Sequence, residues 1–413
     1  MSVGIEALNV HAGLARIPVA DLFAGRGLDP ARLDNLMMET KSVALPFEDP
    51  VTHAVNAARP VVEALAPADR ERIELLVTST ESGVDYSKSV ASYVHEHLGL
   101  SRRCRVMEVK QACYAATGAL QLACGYLASA ASPGARALVI ATDVSLVDEG
   151  AGYTEPAMGT GAAAVLLGER PAVLDVDLGA FGVHSYETLD SARPGPRFDI
   201  ADADRSLFAY LDCLTHSYRD YTDRVGGVDF ASTFAGLVMH TPFAGIVRAA
   251  HRKLARDHGV ADVAADFTSR VLPGLVYPRQ VGNLCSGSVY LALASMVDHL
   301  GSTDPVRVGL YAYGSGCASE FYSGVVGVDA AATVGRMQIG DQLAARCRLT
   351  FDEYRQVLAA NADCLVPVAD RTVDPYRWGE FVDRVGLPRT VLACTGVDGH
   401  HRRYDWIKVG GVR

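Results

Sequence analysis

The sequence has no basic run, no long apolar run and no paired cysteines, and each absence excludes a class of protein. A net charge of −10, with no basic cluster against it, argues against a nucleic-acid-binding protein. No uninterrupted apolar run approaches the roughly 18 residues that a membrane span needs. The opening stretch MSVGIEALNVHAGL has no basic segment leading into an apolar core, so a signal peptide is not expected. The nine cysteines are scattered, odd in number and never spaced CxxC. That suits reduced thiols in a cytoplasmic protein rather than a disulfide framework. Gly159-Thr160-Gly161 lacks the third glycine and later acid of a dinucleotide fingerprint and reads as close strand packing. His95-x-His97 and His400-His401 lack companion ligands at metal spacing and read as surface histidines. Asp202-Ala-Asp204 reads as a solvated loop.

What is present is an ordinary globular composition, 49% hydrophobic and 21% charged, over 413 residues. That is enough for two domains or one large duplicated one. The informative stretch is Arg105–Leu127, RVMEVKQACYAATGALQLACGYL. A short β-type run, Val106–Val109, passes through Lys110-Gln111-Ala112 into Cys113, and small apolar residues then predict a buried helix. A cysteine at such a junction lies near unpaired backbone N–H groups and the positive end of the helix dipole, which favour thiolate, the attacking form. The competing reading is a small buried hydrophobe, the commoner state of free cysteines; Cys124 and Cys317 read that way.

Along the rest of the chain, strands are predicted at Val3–Val10, Ile73–Thr80, Ala137–Thr142, Ala162–Leu167, Ala172–Leu178 and Gly236–Met239. Helices are predicted at Asp29–Met37, at Asp49–Ala66 with a kink at Pro60, and at Ser89–Leu98 and Phe208–Tyr221, the Asp-Pro pairs serving as starts. Residues 185–228 are polar and proline-bearing, an excursion near a site mouth. A helix with a basic face (Arg248, His251, Arg252, Lys253, Arg256) follows His240-Thr241-Pro242-Phe243. Gln280–Ser315 echoes Lys110–Ser145 at an offset of 170, which places Asn283 on Cys113 and suggests a duplicated fold. Gly340–Arg346 and Phe351–Ala360 read as helices and the carboxyl-terminal stretch as a closing strand.

Glu81, Cys113, His240, Asn283 and Ser315 all fall at carboxyl ends of predicted strands, where ligands gather in α/β sheets. A cysteine can hold an acyl group as a thioester. A carboxylate in an apolar pocket can remove the proton α to it, and a histidine with backbone amides can polarise a carbonyl.

Five segments together resemble 3-hydroxy-3-methylglutaryl-CoA synthase: STESGVDYSKS around Glu81, EVKQACYAATGAL around Cys113, MHTPF around His240, GNLCSGSVYLAL around Asn283 and YGSGCASEFYSG around Ser315. Within that family the chain is similar to the β-branching synthases of polyketide pathways, most tellingly in LDNLMMETKSVALPFEDPVTHAVNAA and HTPFAGIVRAAH. The resemblance implies a thiolase-type duplicated α/β fold of five layers, α-β-α-β-α. Its halves would be residues 1–171, with Glu81 and Cys113, and 172–413, with His240, Asn283 and Ser315. It implies a cytoplasmic homodimer with no metal and no organic cofactor. Acyl groups would arrive on the phosphopantetheine of donor and acceptor acyl carrier proteins. Cys113 would be acylated, Glu81 would be the general base and His240 would polarise the acceptor, with Asn283 and Ser315 orienting it. CoA-using relatives supply lysines from the first turn of the helix after the HxPF motif; here Ala244 and Gly245 stand there, and Arg248, with Arg32 as a second candidate, would meet the phosphodiester. The competing reading is a CoA-using synthase of primary metabolism. Two departures matter: Asp148 lies near the place of a family tyrosine, and Asp190-Ser-Ala-Arg193-Pro194 replaces an aromatic stretch.

Overall fold

Nine strands form one mixed sheet in the computed structural model, which describes residues 2–146, 149, 151–152, 154–197 and 199–411. Gly4–His11 (β1), Ile73–Ser79 (β2), Arg105–Val109 (β3), Arg136–Asp143 (β4) and Gly161–Gly168 (β5) come from the first half of the chain. Leu174–Ser185 (β6), Gly236–Met239 (β7), Val306–Gly314 (β8) and Ala318–Val326 (β9) come from the second. The spatial order is β7-β8-β9-β6-β1-β5-β4-β2-β3. Read outward from the seam between β6 and β1, the two halves repeat one order, the second lacking a partner for β3. The pairs β2–β3, β2–β4 and β7–β8 are parallel. β4 and β5 are buried along their whole length, as their near-continuous apolar runs require.

The helices that matter here are Pro50–Glu63 (α1), Val90–Leu98 (α2), Ala115–Ala128 (α3), Ala203–Val225 (α4), Ala244–Asp257 (α5) and Ser288–His299 (α6). α3 packs on β2, β4 and β5, while α6 packs on β1, β5, β7 and β8. Every residue of α6 from Ser288 to Val297 is buried, which only small and apolar side chains permit in a layer covered on both sides. The Thr117 and Tyr290 hydroxyls join the two central helices at 3.2 Å. On the outer faces α1 covers β1, β4 and β5, and α4 covers β6, β8 and β9. This is the thiolase-type arrangement. α1 begins as its sequence dictates: Pro50 takes the first position, and Asp49 and Thr52 form a reciprocal cap. Pro60 sits inside a helix that continues to Glu63.

Several local expectations are revised. Asp29–Met37 is a 3-10 turn, Pro30–Arg32, and one α turn, Leu33–Leu36, stopped by Met37 in a left-handed conformation. β1 lies between β5 and β6 in the sheet, although only the turn Gly168–Pro171 and two further residues separate these strands in sequence. The excursion is shorter than the polar composition suggested. Asp202 caps α4 by accepting from the Arg205 N–H at 3.0 Å, and Asp204 lies in its first turn. The carboxyl-terminal stretch returns to the first half. Cys347–Arg348 pairs with Ala15–Pro18. The hairpin Arg389–Asp398/His401–Val409 is held to α1 by the Asn56 amide, bonded to both backbone groups of Leu392. No helix among the described residues is long and apolar enough to cross a membrane.

Candidate active site

β2 and β3 run parallel, so their carboxyl ends lie side by side and bring Glu81 to Cys113. Between β3 and Cys113 the chain takes a left-handed residue, Ala112 (φ 44°). The 3-10 turn Ala112–Tyr114 then feeds α3. The Cys113 thiol donates to Glu81 Oε1 at 3.2 Å. The sulfur also lies within 4.8 Å of Cys285 Sγ. A hydrogen bond from Cys285 draws the Cys113 pKa down, but burial and the adjacent Glu81 carboxylate outweigh it and push it up to about 12. The expectation of a resting thiolate is therefore overturned. A helix N-terminus contributes about 0.3–2 kcal/mol, whereas burial moves a pKa by up to about 3–5 units. Cys113 rests as a thiol already aimed at its proton acceptor.

Behind Glu81 stands a residue the sequence motifs did not reveal. Asp143 ends β4 and accepts from the Glu81 backbone N–H at 2.8 Å and the Ser82 hydroxyl at 2.9 Å. Burial, then the Glu81 charge, push its pKa up to about 8. A single acid closing the apolar run ALVIATD was the signal available in the sequence. Arg193 reaches the same network, donating to the Ser82 hydroxyl at 2.7 Å while Asp199 holds its other side. The segment that departs from the family's aromatic stretch thus places a cation beside the Glu81 loop. A cavity of about 650 Å³ opens from Glu81 past Tyr86, Lys110 and Arg193 to Pro367.

The second half supplies the remaining groups. His240 follows β7; its N–H is donated to Tyr311 O at 2.8 Å and its carbonyl accepts from the Tyr210 hydroxyl at 2.7 Å. Its ring is buried, Nδ1 has no partner among the described residues, and burial pulls the pKa down to about 3. The imidazole is neutral. Asn283 Oδ1 accepts from the Cys285 N–H at 3.0 Å and the Ser288 hydroxyl at 2.9 Å, which fixes the amide so that its NH₂ faces Met158 Sδ at 3.7 Å. Ser315 follows β8, where Gln111 Nε2 approaches its carbonyl at 3.5 Å. The preceding Gly314 must be glycine, since a Cβ there would lie 2.4 Å from Tyr114 N. Asp190 pins this loop, accepting from the Gly316 N–H at 2.9 Å and the Tyr313 hydroxyl at 2.6 Å.

Glu81 and Cys113 are thus in direct contact, Asn283 reaches Cys113 through Cys285, and Ser315 through Gln111. His240 shares their rim through the parallel pair β7–β8. Arg32 and Arg248 stand apart, on packed elements, without contact to Cys113. Arg248 is exposed and donates to Asp34 O at 3.3 Å. Arg32 donates to Gly152 O and lies over the Phe23 ring. No side chain fits at Gly245, where a Cβ would fall 1.7 Å from Asn35 O; that packing accounts for the missing lysine. The basic face of α5 is thinner than expected, since His251 is buried against Asp266 at 2.6 Å and Lys253 pairs with Asp257 at 2.8 Å. Asp148 lies outside the described residues.

Profiles described as hydroxymethylglutaryl-coenzyme A synthase N terminal and C terminal match residues 54–172 and 251–368. The polyketide biosynthesis 3-hydroxy-3-methylglutaryl-ACP synthase PksG of Bacillus subtilis (strain 168) is 42% identical, covering 98% of this chain and all of its own length. The chain belongs to the hydroxymethylglutaryl-CoA synthase family. Among solved structures, the curacin biosynthetic pathway HMG synthase in complex with holo donor-ACP superposes with a TM-score of 0.93 at 44% identity, covering 98% of this chain and 100% of that one. MvaS in complex with 3-hydroxy-3-methylglutaryl coenzyme A superposes with a TM-score of 0.86 at 32% identity, covering 99% of both. In this member of a carbon–carbon bond-forming family the Cys113 thiol and the Glu81 carboxylate are in contact.

Proposed function

We propose that this enzyme is a β-branching synthase that adds a carrier-bound acetyl or propionyl unit to the β-keto group of a carrier-bound polyketide. The observation that carries the reading is the Cys113 thiol hydrogen-bonded to Glu81 at 3.2 Å, in a chain 42% identical to a synthase named for ACP-linked product. Cys113 sulfur attacks the donor thioester carbonyl, its proton passes to Glu81, and the carrier's phosphopantetheine leaves as a thiol. Glu81, freed of that proton, removes one from the carbon α to the new thioester. The resulting carbanion forms a C–C bond to the acceptor's β-carbon. Neutral His240 donates an N–H hydrogen bond to the oxygen as it becomes negative, and the proton that Glu81 took from the α-carbon is passed to that oxygen, which completes the tertiary alcohol and returns Glu81 to its carboxylate. Asn283 NH₂, the Ser315 hydroxyl and backbone N–H groups at Cys113 orient the carbonyls. Water then cleaves the Cys113 thioester, leaving a carboxylate on the product and the thiol on the enzyme. No metal or organic cofactor takes part.

Arg248 and Arg32 meet the phosphodiester of the incoming phosphopantetheine, each donating to its oxygens. The working form is a cytoplasmic homodimer joined along β3. That strand is an outer strand of the sheet with one side unpaired, and Met107 on it and Leu122 on α3 are exposed. The deciding experiment compares kcat/KM for acyl-carrier and acyl-CoA donors. Preference for the carrier by about 10²-fold is expected from added protein–protein contact; equal or better use of acyl-CoA would favour the primary-metabolism reading.

A further inference from the structure

Near the carboxyl end of β1 three buried side chains turn unpaired atoms toward one another. They are His11 on β1, Glu48 just before the cap of α1, and His53 in the first turns of α1. Their exposures are 3%, 2% and 0%. Glu48 Oε2 is satisfied, accepting from the N–H of Leu45 at 2.9 Å and of Leu14 at 3.3 Å. Glu48 Oε1, His11 Nε2 and His53 Nδ1 have no hydrogen-bond partner among the described residues. One ligand atom from each of the three residues lies within 4.8 Å of the other two. Oε1 is 3.6 Å from His11 Nε2 and 4.0 Å from His53 Nδ1.

The histidine tautomer can be read from its other nitrogen. His53 Nε2 lies 3.1 Å from the Thr160 hydroxyl, whose own proton is directed to Asp143 O at 3.0 Å. Nε2 must then be the donor, so Nδ1 carries a bare lone pair. A lone pair facing a carboxylate oxygen in a dry interior repels it, and something positive belongs between them. A proton serves poorly: both separations exceed the roughly 3.2 Å limit of a good hydrogen bond, and one proton satisfies only one of them. An ion with ligands at about 2.0–2.2 Å places neighbouring ligand atoms about 3.4 Å apart in a tetrahedron, close to the spacing found. Thr160 on His53 Nε2 is the outer partner that fixes a ligating imidazole.

We propose that His11, Glu48 and His53 form a structural site for a divalent cation of the zinc class, tying β1 to α1. The groups facing the cluster include Arg389, which acts on His11 and Glu48, and Arg346, which acts on His11. Their charge opposes a bare dication. Both also keep unpaired buried N–H groups, so the fourth ligand would be an anion, chloride or hydroxide, that lowers the net charge.

The test uses the full-length Cys113→Ala protein, which takes the active-site nucleophile out of the readout. It is refolded with Zn²⁺, dialysed, and assayed for metal by mass spectrometry. About one zinc per chain is expected to survive dialysis, with a Tm that falls on adding chelator. Co²⁺ in its place should show ligand-field bands without a thiolate charge-transfer band. Glu48→Gln should lose retained zinc, and Thr160→Val, a milder change outside the ligand set, should weaken affinity about 10–100-fold while the protein stays folded by circular dichroism. Less than about one zinc in ten chains, a Tm indifferent to zinc and chelator, or a thiolate band with Co²⁺ would overturn the assignment.

Discussion

At Ala112 (φ 44°) the chain takes a left-handed residue, makes one 3-10 turn and enters the buried helix α3; at Cys285 (φ 47°) it does the same and enters α6. Superposing the junctions sets Cys113 opposite Ser286, not opposite Asn283 as the offset of 170 suggested. The stretch from junction to following strand is three residues shorter in the second half, so one constant offset cannot align both. Ser286 is buried and bonded to the Ser79 hydroxyl at 2.7 Å, out of reach of substrate. The first junction therefore presents the Cys113 thiol to Glu81. The second, with the same backbone, sets Cys285 within 4.8 Å of that sulfur, and the Asn283 amide oxygen holds the turn by accepting from the Cys285 N–H. Duplication supplied two helix N-termini at one centre, and side chains divided the labour between them.

The comparison breaks most completely at Cys113. Cys113→Ala should abolish acylation, a loss of about 10⁴-fold or more in turnover, while Cys285→Ala should still acquire the acyl group. Next comes the base. Glu81→Gln should lower condensation about 10²–10⁴-fold, read by donor α-proton exchange with deuterated water. Exchange at the parent rate would assign the base elsewhere. The same variant sharpens the account of the thiol. Removing the Glu81 charge lowers the Cys113 pKa from about 12, so alkylation of Cys113 by iodoacetamide should quicken although catalysis fails. In the parent, alkylation should still be rising with pH at pH 9, because the thiolate fraction grows about tenfold per unit below the pKa; a plateau below pH 8 would contradict the protonated resting state.

On the second junction the effects are smaller. Asn283→Ala should cost about 10-fold to 10²-fold in kcat/KM for the acceptor, the range for losing one or two hydrogen bonds to a developing charge. Cys285→Ala removes the bond that draws the Cys113 pKa down, so alkylation should slow by about threefold to tenfold at fixed pH. His240, with its pKa lowered to about 3, stays neutral across the working range. The acid limb of kcat/KM should therefore be unchanged in His240→Asn, even as its height falls.

Much of this site was legible because it is local. A strand followed at once by a polar residue can be read from order alone, and that logic found His240 and Ser315 and, one residue further on, Glu81. Cys113 follows the half-buried β3 after three further residues, and Asn283 follows the short helix Pro278–Val281 and not the strand end expected. Groups that act across the fold were not. Asp143 meets Glu81 only because β4 pairs with β2, and Arg193 arrives from a segment of little periodicity. The protonation of Cys113 depends on a 3.2 Å contact that no spacing reports. The tail was opaque for a similar reason. Its short elements make sense only against Ala15–Pro18 and α1, more than 300 residues earlier in the chain.

The division between the junctions is tested most directly by mapping the acyl group. The parent enzyme, Glu81→Gln and Cys285→Ala would each be mixed with acetyl-carrier donor, quenched in acid and digested for peptide mass spectrometry. The acetyl group should lie on the Cys113 peptide in all three. Acetyl on the Cys285 peptide, or none on Cys113 when Cys285 is absent, would contradict it.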